Sequence, residues 1–124
     1  MAYLIVFLGG GLGAALRHGV NILAARVWGI QFPFGTLSVN VLGCLLMGVF
    51  AAYFAFKGEA AQSWRLFLTT GILGGFTTFS AFSLDAALLY ERGDLHLAAF
   101  YVIASVLLSI FGLFAGLWLI RTVT

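Results

Sequence analysis

Four apolar runs, at residues 3–27, 35–56, 64–89 and 95–120, occupy nearly the whole chain. About 20 consecutive apolar residues cross the hydrocarbon of a bilayer as a helix. Each run reaches that length and the connections are short, so the sequence predicts an all-α membrane protein: four transmembrane helices in a single domain over residues 1–124. Only 8% of the residues are charged, against about one-quarter in soluble domains. No room remains for a soluble domain beside the runs. The first run has no Lys or Arg before it and continues past Arg17. A signal peptide has a basic start and a short apolar core, so this run reads as a retained helix.

The third run carries Gly71-Ile72-Leu73-Gly74-Gly75-Phe76-Thr77-Thr78-Phe79-Ser80-Ala81-Phe82-Ser83 near its middle. Gly costs about 1 kcal/mol against Ala in a helix interior, and β-branched Thr is also unfavourable. Gly74-Gly75 followed by Thr77-Thr78 therefore predicts a break at mid-membrane depth. Broken backbone there frees N–H and C=O groups, which persist only where buried in protein or facing a water-filled cavity. Two readings stand side by side: a glycine-packed helix crossing, or a mid-membrane ion site flanked by Phe79 and Phe82.

The other runs add polar groups and small residues. Gly9, Gly10, Gly11 and Gly13 lack the preceding strand and downstream acid of a dinucleotide-binding loop; Gly9 and Gly13 instead make a small-xxx-small packing face. The second run opens after the lone proline, Pro33, and holds Asn40 within the hydrocarbon span, where an amide needs partners or a wet path. Residues 57–63 form a polar connection, and Trp64 sits where an interfacial aromatic belongs. Glu91-Arg92-Gly93-Asp94 reads as a tight turn. On the fourth run Tyr101, Ser105 and Ser109 recur every four residues, which puts them on one helix face. The alternative for each Ser is a bond back to its own helix carbonyls. Gly112 and Gly116 repeat the packing motif.

Loop charge sets orientation, and here it is nearly balanced. Lys57, Arg65 and Arg121 lie on the side of the N-terminus, against Arg26 and Arg92 on the other. Such a tie predicts insertion both ways and pairing with an inverted copy, since one four-helix chain is too thin to enclose a pore and stay packed.

Chemistry narrows the functions. A net charge of +2 is too small for nucleic-acid binding to be the main task. The single Cys44 excludes a disulfide framework or zinc spacing. His18 and His96 have no acid partner at useful spacing and the serines have no visible base, so an enzyme is not expected. Asp85 is the one carboxylate inside a run. What remains is a set of neutral donors: Asn40, Thr77, Thr78, Ser80, Ser83, Tyr101, Ser105 and Ser109. Such groups could replace the hydration shell of a small anion, whereas a Lys or Arg would hold it too tightly, because conduction needs sites that let go. Aromatic rings have positive edges, so Phe79 and Phe82 could face an anion edge-on. Carbonyls freed at Gly74 to Thr77 would suit a small cation instead. Residue chemistry alone stops at a small-ion pathway.

Three motifs then converge. Gly10 to Arg17 (Gly-Gly-x-Gly-Ala-x-x-Arg), Gly35 to Asn40 (Gly-Thr-Leu-x-Val-Asn) and Gly71 to Phe82 (Gly-x-x-Gly-Gly-Phe-Thr-Thr-Phe-Ser-x-Phe) together resemble the small fluoride channels called Fluc or CrcB. The resemblance spans the whole chain, with the motifs in the expected helices and order. It implies an antiparallel, dual-topology homodimer in the cytoplasmic (inner) membrane of a microbe, in contact with membrane lipid. It implies two fluoride pores, each lined by both subunits, and a structural sodium ion at the dimer centre held by backbone carbonyls that match Gly74 and Thr77. The pore amide matches Asn40, the pore phenylalanines match Phe79 and Phe82, and the polar track matches Tyr101, Ser105 and Ser109, with Thr78 and Ser80 beside it. The implied role is passive fluoride export, against fluoride that enters as neutral HF. Ala81 stands where the family usually has Thr, Asp85 where Glu is frequent, and His18 where an aromatic is common. Arg17 has three candidate partners: Asp85, the freed carbonyls, or a vestibule. The alternative, a small-multidrug-type four-helix exporter, needs an acidic residue in the first helix, and residues 3–27 contain none.

Overall fold

A backbone in hydrocarbon must satisfy its polar groups within its own segment, which makes apolar runs of this length helical. The computed structural model, which describes residues 1–57 and 62–123, follows that rule. Helix α1 runs Ala2–Trp28 and α2 runs Phe34–Lys57. The third span is composite: α3 (Gln62–Arg65), a π-helical stretch (Leu66–Leu73), α4 (Gly74–Phe76) and, after two extended residues, α5 (Phe79–Glu91). Helix α6 runs Leu95–Val123. All four spans are long and apolar enough to cross a membrane. Of the polar connection expected at 57–63, residues 58–61 lie outside the described residues.

The turns have identifiable stops. Gly29, with φ 82°, ends α1 and donates its N–H to the Ala25 carbonyl at 3.0 Å; glycine enters positive φ without a Cβ penalty. Pro33 precedes α2, whose Leu37 N–H reaches the Pro33 carbonyl at 3.2 Å. Between α5 and α6, Asp94 N–H bonds the Leu89 carbonyl and Gly93 N–H the Tyr90 carbonyl, at 3.0 and 3.1 Å. This is a Schellman closure, with Gly93 at φ 93° in the left-handed position the motif requires. Arg92 pins that turn: it pairs with Asp94 at 2.6 Å and donates to the Gln31 carbonyl of the α1–α2 connection at 2.7 Å.

Glycines set which helices touch. A Cβ on Gly13 would overlap the Ile72 carbonyl, one on Gly9 would come within 2.8 Å of the Phe67 carbonyl, and one on Gly75 would overlap the Gly10 carbonyl. Helix α1 thus lies backbone-to-backbone against the third span, on the face that Gly9 and Gly13 predict. Helices α2 and α6 do the same: a Cβ on Gly48 would meet the Leu113 carbonyl, and one on Gly116 the Leu45 carbonyl. Close approach at small residues is how helices associate where lipid removes the hydrophobic drive between them. Large apolar residues such as Phe7, Phe111 and Trp118 remain exposed, which suits a surface solvated by acyl chains.

The break corrects the expectation in one respect. Gly74 and Gly75 are helical, with Gly74 at φ −62° and ψ −38°. The chain leaves the helix at Thr77 (φ −86°, ψ 159°) and Thr78 (φ −155°, ψ 125°). Extended backbone suits β-branched residues, whose χ1 is restricted in helices. Gly75 serves contact with α1 at Gly10, while Gly74 is exposed. The π-helical stretch before them was not anticipated from sequence.

Candidate functional site

The break is stitched by side chains from two other helices. Asn40 of α2 takes both polar groups of Thr78: the Thr78 N–H donates to Asn40 Oδ1 at 2.8 Å, and Asn40 Nδ2 donates to the Thr78 carbonyl at 3.0 Å. Arg17 of α1 donates through Nε to the Gly75 carbonyl at 3.1 Å. Of the three partners open to Arg17, the freed carbonyl is the one it takes. Thr78 Oγ1 accepts from the Ala81 N–H at 3.1 Å and caps α5, the role expected of a hydroxyl at an N-cap. Ser80 stands beside it, exposed, with its Oγ 3.3 Å from Thr78 Oγ1. Thr77 Oγ1 turns back to the Leu73 carbonyl at 3.0 Å.

This stitching leaves particular oxygens over. In an α-helix the carbonyl of residue i accepts from the N–H of residue i+4. The donor for Gly74 would be Thr78 N–H, which goes to Asn40; the donor for Thr77 would be Ala81 N–H, which goes to Thr78 Oγ1. The Gly74 and Thr77 carbonyls therefore lose their helical donors to named side chains. Gly74 is exposed on the surface of the single chain.

Beside the break lies a cavity of about 240 Å³. Asn40 and Cys44 of α2, Thr77 and Thr78 of the break, Phe79 and Phe82 of α5, and Ser105, Val106 and Ser109 of α6 line it. No charged side chain is among them. The sequence-predicted residues Asn40, Thr78, Phe79, Phe82, Ser105 and Ser109 are brought together here. Ser105 is 5% exposed, and its hydroxyl has no hydrogen-bond partner, so it does not bond back to its own helix. A buried polar group left unpaired costs free energy, and this one borders open space. Phe79 and Phe82 face each other at 5.4 Å between centroids, with Phe79 76% exposed and Phe82 buried. Cys44 was not singled out from sequence, although its place four residues after Asn40 puts both on one face of α2.

Tyr101 differs from its two stripe-mates. It is fully buried and does not line the cavity; its hydroxyl donates to Asp85 Oδ2 at 3.1 Å. Its ring meets Phe32 edge-on at 5.5 Å and lies 5.3 Å from Phe82. The Asp85 carboxylate thus enters the site one ring behind Phe82, a contact sequence reasoning missed. His18 and His96 are exposed. Among the described residues no group of His, Cys, Asp or Glu is placed to hold a metal ion.

Comparison with known proteins agrees with the motifs. The profile of a family described as "CrcB-like protein, Camphor Resistance (CrcB)" matches residues 4–117. The chain is 63% identical over 124 residues to a protein of Nitrobacter hamburgensis named "Fluoride-specific ion channel FluC 2", with 100% of both chains covered. It is 64% identical over 124 residues to a "Fluoride-specific ion channel FluC" of Rhodopseudomonas palustris, again with 100% of both covered. A protein of the same name from Granulibacter bethesdensis is 59% identical over 123 residues, covering 98% of this chain and 96% of the relative.

Proposed function

Because the chain belongs to the CrcB family, we propose that it is a fluoride-specific ion channel, a multi-pass membrane protein that lets fluoride leave the cell passively. The observation that carries this reading is the cavity beside the break. It gathers neutral donors and two phenyl rings, includes no charged side chain, and presents an unpartnered Ser105 hydroxyl. A dehydrated anion needs compensation for its lost water. Hydroxyls, the spare hydrogen of the Asn40 amide and positive ring edges supply it in small portions, so the ion is bound without being trapped.

The working unit in this reading is an antiparallel homodimer with two pores, and membrane lipid covers the rest. Phe79 supports it: a ring mostly exposed in one chain sits at the cavity mouth, where an inverted copy would close it. A sodium ion at the dimer centre fits the same geometry. Hard cations take oxygen ligands, carbonyls among them, and the Gly74 and Thr77 carbonyls have lost their helical donors. Two such oxygens per chain become four when a second copy faces the first. Bound there, the ion would offset the negative ends of the four carbonyls and hold the two breaks in register.

The test is flux from liposomes. Purified protein reconstituted into vesicles loaded with sodium fluoride should empty them of fluoride far faster than matched vesicles lose chloride. Equal leakage of both anions, or none above protein-free vesicles, would overturn the reading.

A further inference from the structure

The thiol of Cys44 faces the same cavity as the residues assigned to fluoride. Helices α2 and α6 start on the same side of the membrane and run parallel, and close backbone contacts of Gly48 with Leu113, Gly112 with Val41 and Gly116 with Leu45 fix their register. That register seats Cys44 near the level of Ser109 and beyond Ser105, and all three line the one cavity. Cys44 and the unpartnered, buried Ser105 hydroxyl therefore border one open space. A hydroxyl buried without a partner in such a space points to a polar visitor, either water or an ion, and a visitor to that space meets Cys44 among its walls.

We propose that Cys44 is a path-lining residue and a modification site, at which a small water-borne thiol reagent closes the pore. The inference rests on the fluoride-channel reading for the word pore, and on the geometry alone for access. The chemistry suits a neutral methanethiosulfonate. The Cys44 proton leaves to water, and the thiolate, the reactive form, attacks the sulfenyl sulfur of the reagent. A protein disulfide forms, the S–S(O₂) bond breaks, and methanesulfinate departs with the electron pair. The product carries a methylthio group in a cavity of about 240 Å³ that three helices already crowd. It replaces a weak S–H donor with an apolar stub beside the hydroxyls an anion would use. Cys44 is the only cysteine in the chain, so any adduct identifies its own site.

The experiment uses the full chain in fluoride-loaded liposomes, with intact mass read on the same sample. Methyl methanethiosulfonate added from the water phase should give one adduct per chain and lower fluoride efflux at least tenfold; dithiothreitol should remove the adduct and restore the flux. Cys44→Ser and Cys44→Ala, each at its own rate, should not respond to the reagent. If the parent conducts and is fully modified with flux unchanged, or conducts and resists modification until denatured, the proposal is overturned. If the untreated parent carries no fluoride, the channel reading fails instead. Labelling still decides the access claim: an adduct on the native protein supports a wet Cys44, and protection overturns it.

Discussion

Asn40 holds Thr78 by both ends of its amide, accepting from the Thr78 N–H at 2.8 Å and donating to its carbonyl at 3.0 Å across 38 residues of sequence. The amide is thus a clamp on the break before it is anything to an anion, with one N–H left for the cavity. Asn40→Leu should strand two backbone groups, at about 1–3 kcal/mol each, and lower both thermal stability and flux. Asn40→Asp keeps the acceptor for Thr78 N–H but places a negative charge at the cavity wall. It should retain more stability than Asn40→Leu while losing fluoride efflux at least as fully. Near-parental flux from Asn40→Leu would remove the amide from both roles.

Two glycines of α1 make a paired test of helix packing. A Cβ on Gly13 would collide with the Ile72 carbonyl, whereas one on Gly11 would meet nothing within 4 Å. Gly13→Ala should destabilise by about 1–3 kcal/mol, the usual cost of overpacking, because the obstacle is backbone and cannot swing away. Gly11→Ala should be neutral or gain up to about 1 kcal/mol in helix propensity. Detergent thermal melts of the two variants would show equal effects if α1 were not seated on the third span.

How much of this was legible in the sequence divides by the range of the cause. The four spans were readable because hydropathy and length act locally, and their ends moved by no more than three residues. The break is legible from Gly74-Gly75 followed by Thr77-Thr78, and of the two pairs it is the threonines that leave the helix. Helix propensities measured in water mislead there, since a glycine in lipid has no solvated coil to escape to and Gly75 is held against Gly10. The π-helical stretch contains Gly71, which lies against Gly9 of α1, a long-range contact that no local pattern encodes. The Tyr101–Asp85 bond joins helices across a turn, 16 residues apart, and neither residue's neighbours announce it. Cys44 stands four residues after Asn40, on the same face of α2, but only the fold shows that this face borders the cavity.

Gly74 separates assembly from folding. A Cβ there would lie 3.7 Å from the Thr69 carbonyl, an ordinary contact, so the single chain has room for one. If two copies meet at this exposed residue over a shared cation, Gly74→Val should leave helix content intact by circular dichroism yet weaken dimerisation and abolish flux. Thr77→Val, which changes a side chain but keeps the carbonyl, should be milder. Parental dimer content and flux in Gly74→Val would exclude a cation site built on that carbonyl at a subunit contact.

Orientation gives a prediction from charge alone. With cationic residues split three against two between the sides, a few lysines inserted between Lys57 and Ser63 should fix every copy the same way, because basic loops stay on the cytoplasmic side. Such a chain expressed alone should lose fluoride flux. A second chain with lysines inserted between Gly29 and Pro33 should restore it when coexpressed. Full flux from either biased chain alone would refute the antiparallel pairing.

The ring pair at the cavity mouth gives the sharpest test of mechanism. Phe82 is buried and Phe79 exposed, with centroids 5.4 Å apart and planes at 51°. Core packing explains Phe82 by itself, since its ring also lies against Tyr101. It does not explain Phe79, which within one chain covers little. If the rings serve the anion, they do so through their positive edges, which an aliphatic side chain lacks. Ile keeps much of the bulk, so Phe79→Ile should cost almost no stability, and Phe82→Ile about 1 kcal/mol, as near volume-conserving swaps do. Both should assemble, and both should lose fluoride efflux by tenfold or more, an effect out of proportion to any loss of stability. Normal flux in both would assign the rings to packing and leave the anion to the Ser105 and Ser109 hydroxyls and the Asn40 amide. Loss in Phe82→Ile alone, tracking its lower stability, would mean that the exposed ring has no part in conduction.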